Sequence, residues 1–168
     1  MKISLALRAV ILAATLLTAA GASAHPQAEA ERTPASSAPA ASPEAAKVID
    51  DFHAALASGD TTAAASLLTD AAIIYEAGGV ERSKAEYVKA HLPGDAAFAK
   101  AVGQDLVRRN GGTAGDMAWV ASEGRTKGKF KGRDVDRLTT ETMILRRVAG
   151  TWRIVHIHWS SRAATAVH

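Results

Sequence analysis

Two glutamates in the C-terminal half of the sequence have the chemistry of a general acid or base. Glu123 follows Trp119 and Ala121 at alternate positions of a predicted strand, so these three side chains share one face. Glu141 lies on the next predicted strand. A carboxyl group on the inner face of a sheet is desolvated, which raises its pKa toward the range useful for proton transfer. We predict Glu123 as the first catalytic candidate and Glu141 as the second, the alternative for either being an ion pair with a neighbouring arginine.

The last predicted strand carries two histidines, His156 and His158, at a spacing that places both on one face. Two imidazoles so arranged can share a metal ion or relay a proton. No third ligand follows at close spacing, so we predict no metal site and no cofactor, and expect the pair to pack against a partner subunit or a neighbouring strand. Arg153, Val155, Ile157 and Trp159 are expected on the opposite face, where Trp159 either lines a pocket or fills the core.

Three further side chains belong to the N-terminal half of the predicted domain. Tyr75 ends a short apolar run, and its hydroxyl can donate a hydrogen bond to a ligand, which makes it the third catalytic candidate. Tyr87 and His91 are four residues apart on a predicted helix, and they either flank the mouth of a pocket or pack at the surface. The predicted ligand pocket as a whole is lined by six residues: Tyr75, Trp119, Ala121, Glu123, Ile157 and Trp159.

Helices are predicted in the first half of the region that must position these side chains. Ser42 and Pro43 suit the start of a helix that ends at Gly59, and Asp60 can cap a short second helix. The run 83–86 matches a capping box that opens a third helix, which Pro93 and Gly94 are expected to end. A further helical turn is possible over 95–100.

Strands dominate the second half. They are predicted over 71–75, 102–108, 117–125, 133–147 and 152–160, with turns at 110–112, between Gly128 and Gly132, and at 149–150. Helices that precede hairpin-connected strands indicate an α+β fold, in which helices cover one face of an antiparallel sheet.

The N-terminus reads as a secretory leader. Lys2 and Arg8 precede an apolar stretch, and Ala22-Ser23-Ala24 is a small-x-small cleavage site. We predict a signal peptide over 1–24 that is cleaved after Ala24, a proline-rich disordered tether over 25–43, one domain over 44–162 and a tail over 163–168. The expected location is the periplasm or the exterior.

Charge and cysteine content narrow the function classes. Cleavage of the leader removes Lys2 and Arg8, and with them most of the net charge of +3. We therefore expect no nucleic-acid partner. Cysteine is absent, which excludes disulfides, thiolate metal sites and a cysteine nucleophile. No second long apolar run follows, so no membrane partner is expected after cleavage.

The run from Trp152 to Ser160, W-R-I-V-H-I-H-W-S, resembles the nuclear transport factor 2-like superfamily in its SnoaL-like branch. Gly59-Asp60, Tyr75-Glu76, Ala118-Trp119 and Glu141-Thr142 agree with it, and the likeness spans 44–162. This SnoaL-like branch is similar to the association domain of calcium/calmodulin-dependent kinase II.

The resemblance implies a cone-shaped, cystatin-like domain with a pocket and a homodimer packed through the sheet. The kinase domain carries arginine at the positions that match Ala121 and Trp159, so its anion site is not implied here. We predict an exported domain that binds a small apolar or aromatic ligand without catalysis. The alternatives are an isomerase-, dehydratase- or hydrolase-type enzyme with a pocket glutamate as base, and an oligomerisation module.

Overall fold

The computed structural model describes residues 42–164, so the predicted leader and most of the predicted tether lie outside the described residues. Four helices are present: α1 (Pro43–Ser58), α2 (Thr61–Ser66), α3 (Lys84–Ala90) and α4 (Leu92–Ala101). The predicted caps form. The side chains of Ser42, Asp60 and Ser83 each accept a hydrogen bond from a backbone N–H of the first turn that they precede, and Gly59 ends α1 at φ 83°.

Six strands form one sheet: β1 (Leu68–Glu76), β2 (Gly79–Glu81), β3 (Val102–Ala114), β4 (Met117–Phe130), β5 (Arg133–Val148) and β6 (Thr151–Ala163). Their order across the sheet is β2-β1-β6-β5-β4-β3. β1 runs parallel to β6, and the other four pairs are antiparallel. The predicted α+β class, with helices first and a curved sheet after them, is confirmed.

The sheet has two unlike faces. The inner face packs under α1 and carries the core residues Val120, Met143, Leu145 and Ile157, which are all fully buried. Helix α1 supplies the matching apolar side, of which Ile49 and Phe52 are fully buried. The outer face, which carries Trp119 and Tyr75, is the one that the helices leave uncovered. Whether a residue lies on the inner or the outer face therefore decides whether it is buried.

Two predicted boundaries were wrong for identifiable reasons. Asn110, Gly111 and Gly112 do not form a turn, because β3 continues to Ala114 and pairs with β4 throughout this stretch. The indole of Trp119 lies against Gly112, where a Cβ would approach the indole nitrogen to 2.8 Å, so glycine here serves close packing. Pro93 does not end a helix but lies in the first turn of α4, where its missing N–H costs no hydrogen bond.

An irregularity in β6 changes which of its residues face inward. The β5–β6 register shifts between Ile144 and Leu145, and Val155 has no partner across the ladder. The extra residue reverses the alternation, so Trp152, Ile154, Ile157 and Trp159 all point to the inner side. The expectation that Arg153 shares a face with Ile157 is therefore wrong.

Within residues 42–164, no helix combines the length and hydropathy needed to cross a lipid bilayer.

Candidate functional site

Glu141 is the buried charged group at the centre of the inner sheet face. Its side chain is 5% exposed, and its Oε2 accepts two hydrogen bonds of 2.7 Å, one from Nε2–H of His53 and one from Nε1–H of Trp159. Its other oxygen, Oε1, is buried and has no hydrogen-bond partner among residues 42–164. Because two donors converge on Oε2, the free acceptor capacity of the carboxylate is concentrated on Oε1.

His53 links this carboxylate to the solvent. It lies on the inner side of α1, four residues after the buried Ile49, and its side chain is 24% exposed. In the tautomer that carries its hydrogen on Nε2, the ring donates a hydrogen bond to Glu141 and Nδ1 is an acceptor. The sequence predictions did not include His53. The signal that marks it is its place on the buried stripe of α1, three residues before Leu56.

Trp159 holds the carboxylate from the neighbouring strand. It lies directly opposite Glu141 across the β5–β6 ladder. Its indole stacks on Phe52 with ring centroids 6.3 Å apart and contacts Tyr87 at 6.4 Å. The side chain is thus packed among aromatic rings, and its one polar atom is used on Glu141. We refer to Glu141, His53 and Trp159 as the carboxylate centre.

Arg109 is a second charged residue of the inner face, in the same row of paired residues as Glu141. Arg109 on β3 pairs with Ser122 on β4, and Ser122 pairs with Glu141 on β5. Arg109 donates from Nε to Ser122 Oγ at 3.3 Å and from Nη1 to Asp50 Oδ1 at 2.7 Å. Asp50 is one turn before His53 on α1. Helix α1 and the inner sheet face therefore bring together two acids, one arginine and one histidine, of which the Asp50 side chain is 60% exposed.

The inner-face residues that follow the row of Arg109, Ser122 and Glu141 along β4 and β5 have small side chains. The next positions are Gly124 on β4 and Thr139 on β5, which lie opposite each other. Leu106 pairs with Gly124 from β3 and is largely exposed, as is its neighbour Val107 in an irregularity of β3. Small residues beside an acid and apolar residues at the rim are features of a site for a small molecule.

A separate acidic corner lies where β1 and β2 meet α3 and α4. It consists of Glu76, Glu81, Asp95, Tyr87 and His91. The buried Glu81 contacts His91, and the fully buried Tyr87 donates a hydrogen bond of 2.8 Å to Asp95. Burial raises the pKa of the Asp95 carboxyl, against the opposing effect of the Tyr87 hydrogen bond. Burial also raises the pKa of Glu76, although much of that residue is exposed, and the charge of Asp95 adds to it. Burial is the main cause that raises the pKa of the Tyr87 phenol.

Four of the residues predicted to line the pocket lie on the outer face instead. Trp119, Ala121 and Glu123 alternate with the buried Val120 and Ser122, and therefore point away from α1. Glu123 is exposed, so the burial on which its predicted role depended is missing. Tyr75 alternates with the buried Ile74 and is also exposed.

His156 and His158 share the outer face with Tyr75, as their spacing predicted. The Tyr75 ring contacts His156 at 5.0 Å and His158 at 6.0 Å between centroids. His156 donates from Nδ1 to the Ile73 carbonyl oxygen at 2.9 Å, because a carbonyl only accepts. Of the predicted site residues, only Glu141 and Trp159 meet at the carboxylate centre. Ile157 is fully buried between Met143 and Ile74 and belongs to the core.

Two other features lie apart from the carboxylate centre. Among residues 42–164, no three His, Asp or Glu side chains are arranged to hold a metal ion. A surface groove of about 390 Å³ is formed by residues of α2, β1 and α3: Ala65, Ser66, Asp70, Lys84, Ala85 and Val88. It contains none of the residues of the carboxylate centre.

A helical layer over a curved sheet, with a buried acid on the inner face, defines a domain of the nuclear transport factor 2-like class. Residues 45–164 match the family model of the SnoaL-like domain. The chain belongs to this SnoaL-like family, which confirms the resemblance seen in the sequence.

Solved structures agree with this assignment. A candidate ketosteroid isomerase from Shewanella frigidimarina is 36% identical, with a TM-score of 0.67 over 70% of this chain and 94% of its own. A candidate dehydratase of the NTF2-like family from Streptomyces avermitilis is 20% identical, with a TM-score of 0.63 over 72% and 95%. A candidate calcium/calmodulin-dependent kinase II association domain from Xanthomonas campestris is 21% identical, with a TM-score of 0.59 over 73% and 86%. The sequence matches no curated protein.

Proposed function

We propose that this SnoaL-like domain binds a small apolar or aromatic molecule beside Glu141 and transfers a proton within it. The observation that carries the proposal is the Glu141 carboxylate, whose Oε1 is buried without a partner while Oε2 accepts from His53 and Trp159. A buried acceptor without a donor is costly, and a ligand group that brings a C–H or O–H proton to it removes that cost. The 36% identical neighbour is described as a candidate ketosteroid isomerase, which is consistent with proton transfer.

The proposed step needs no group beyond this chain and its ligand. Oε1 takes a proton from the carbon next to a ligand carbonyl, so Glu141 becomes neutral and the ligand becomes an enolate. Return of the same proton to a different carbon gives the isomer and restores the carboxylate. The N–H groups of His53 and Trp159 hold Oε2 throughout and fix the orientation of Oε1.

Isomerisation of 3-cyclohexenone to its conjugated isomer, followed by ultraviolet absorbance, tests this function. Loss of a general base typically costs 10²- to 10⁴-fold in rate, so Glu141→Gln should reduce the rate by about that factor. Glu123→Gln is the matched control, because it makes the same change on the exposed outer face. Equal rates for the wild type and Glu141→Gln would refute the proposal.

A second function, self-association, is supported by the composition of the outer face. Trp119, Ile144, His156 and Ile73 follow one another directly across four strands. Trp119 and Ile73, together with Tyr75 in the adjacent row, are large and substantially exposed. Exposed apolar residues that form a continuous patch are typical of protein interfaces. The domain is also similar in fold to a candidate association domain. We propose that two copies pack through this face as a homodimer.

We further propose that the protein is exported. The supporting features are Lys2 and Arg8, the apolar stretch that follows, and the small-x-small site at 22–24. Mass spectrometry of the protein from its host should find an N-terminus at His25, and an intact Met1 would contradict the proposal.

A further inference from the structure

We infer that Arg109 is the recognition group for a carboxylate on the ligand, and that Asp50 occupies its guanidinium until such a ligand replaces it. The inference rests on the proposed small-molecule site. It adds a ligand class, namely aromatic or apolar carboxylates that carry a proton-donating group at the other end.

The position of Arg109 supports the inference first. Arg109, Ser122 and Glu141 are consecutive partners across three strands, so all three side chains lie at one level of the inner face. The Arg109 Nε donates to Ser122 Oγ at 3.3 Å, and Ser122 lies between Arg109 and Glu141 in the ladder. Adjacent strands are about 4.8 Å apart, so the backbones of Arg109 and Glu141 are about 10 Å apart, a span that an aromatic carboxylate held by the two side chains can bridge.

The two side chains of the Arg109–Asp50 ion pair differ in exposure, which is a second observation in support of a carboxylate site. The Arg109 side chain is 19% exposed, whereas that of its partner Asp50 is 60% exposed. A largely buried arginine needs an anion, because desolvation of an unpaired charge is costly. Its present anion, Asp50, is mostly exposed to solvent, which screens the ion pair and makes it weak. A ligand carboxylate can therefore exchange with Asp50 at little cost.

The different chemistry of Arg109 and Glu141, at the two ends of the site, is a third argument for a carboxylate ligand. The planar guanidinium fork matches a carboxylate, and the bare Glu141 Oε1 repels one but accepts a hydroxyl or an acidic C–H. The site is thus polarised, with its anion-binding end at Arg109 and its donor-binding end at Glu141. A ligand bound in this way has one allowed orientation, which fixes the group that faces Glu141.

The test compares binding of 4-hydroxybenzoate with binding of its neutral analogue 4-hydroxybenzamide, by calorimetry at low salt. Asp50→Asn frees Arg109 and should bind 4-hydroxybenzoate about 3-fold more tightly, which corresponds to the strength of an exposed ion pair. Arg109→Gln should weaken 4-hydroxybenzoate on the order of 10-fold, since it removes a charged hydrogen bond. Neither substitution should change the affinity for 4-hydroxybenzamide.

Asp51→Asn provides the charge-matched control. Asp51 is the next residue of α1 and pairs with Lys47 on the exposed side of the helix, so its loss changes the net charge equally without freeing Arg109. Arg109→Lys keeps the positive charge but loses the planar guanidinium fork. Its affinity for 4-hydroxybenzoate should therefore lie between those of the wild type and Arg109→Gln. A circular dichroism spectrum shows that each variant is folded.

Three results would overturn the inference: the same gain in Asp50→Asn and Asp51→Asn, unchanged 4-hydroxybenzoate affinity in a folded Arg109→Gln, or no 4-hydroxybenzoate binding to Asp50→Asn. Failure of the proton-transfer function is a separate result. It appears as an unchanged isomerisation rate in Glu141→Gln, while the dependence of 4-hydroxybenzoate binding on Arg109 persists.

Discussion

Trp159 and Glu141 lie directly opposite each other on β6 and β5, and the indole N–H donates a 2.7 Å hydrogen bond to the carboxylate. The same tryptophan stacks on Phe52 of α1. A single side chain therefore joins the packing of helix on sheet to the orientation of the buried acid. Substitutions at this position should affect stability and the site together.

Trp159→Phe should lower the free energy of unfolding by about 1–3 kcal/mol, because Glu141 loses a donor while most of the ring packing remains. Trp152→Phe is the matched control. Trp152 lies on the same strand and is more deeply buried than Trp159, but its Nε1 has no hydrogen-bond partner among residues 42–164, so this change removes no hydrogen bond. Urea unfolding of both variants measures the difference, and an equal loss in the two would contradict the role of the Trp159–Glu141 bond.

The acidic corner should make stability depend on pH through Asp95. Burial raises the pKa of the native Asp95 carboxyl above its ordinary value of 3.8, so the native state binds this proton more tightly than the unfolded state does. Stability from this group is complete below pH 3.8 and is lost as the pH rises through the raised native pKa. The free energy of unfolding of the wild type, minus that of Asp95→Asn, should therefore fall with rising pH and then level off.

Asp70→Asn gives the control of opposite sign. The hydrogen bond from Lys84, with its charge, holds the pKa of the Asp70 carboxyl below its ordinary value of 3.8. The wild type minus Asp70→Asn difference should rise with pH as Asp70 ionises, and then level off above pH 3.8. Urea unfolding between about pH 2.5 and pH 7 measures both series. A difference for Asp95→Asn that rises with pH would contradict the raised pKa.

Gly112 and Trp119 should be energetically coupled. A Cβ at position 112 would lie 2.8 Å from the Trp119 indole nitrogen, so Gly112→Ala forces the indole to move. We expect it to destabilise the wild type by about 1 kcal/mol. In a Trp119→Ala background the clash is gone, and the same change should be neutral or stabilise by about 0.5–1 kcal/mol, as alanine does relative to glycine in a strand. A double-mutant cycle measured by urea unfolding gives the coupling, and its absence would contradict this contact.

The fold followed from local patterns because these report directly on backbone geometry. Ser42, Asp60 and Ser83 are good N-caps in any context, and each starts a helix as predicted. The wrong prediction of a turn at 110–112 has the same origin, because Asn110, Gly111 and Gly112 favour turns locally. The contact of Gly112 with the Trp119 indole on the neighbouring strand, which local turn preferences do not report, accompanies the continuation of β3 through these residues.

The site was harder to predict, because burial depends on which face of a strand meets the helices. On β4 the residues Trp119 and Ala121 are as apolar as Ala118 and Val120, so alternation alone gives no choice between the faces, and Glu123 was placed inside wrongly. Glu141 is buried on β5, where the fully buried Met143 and Leu145 follow it at alternate positions. The extra residue in β6 at Val155 has no sequence signal, and it moves Arg153 to the other face.

Ile144→Glu should disrupt the proposed homodimer. Ile144 lies between Trp119 and His156 at the centre of the outer-face row, and a carboxylate buried there without a partner costs several kcal/mol. We expect a dimer of the wild type at micromolar concentration and a dissociation constant for Ile144→Glu that is larger by about 100-fold or more. Val107→Glu introduces the same group at a position of β3 that is 68% exposed and lies outside this row, and should leave the dimer intact. Sedimentation velocity distinguishes the states, and a monomeric wild type, or equal dissociation in both variants, would exclude the outer face as the interface.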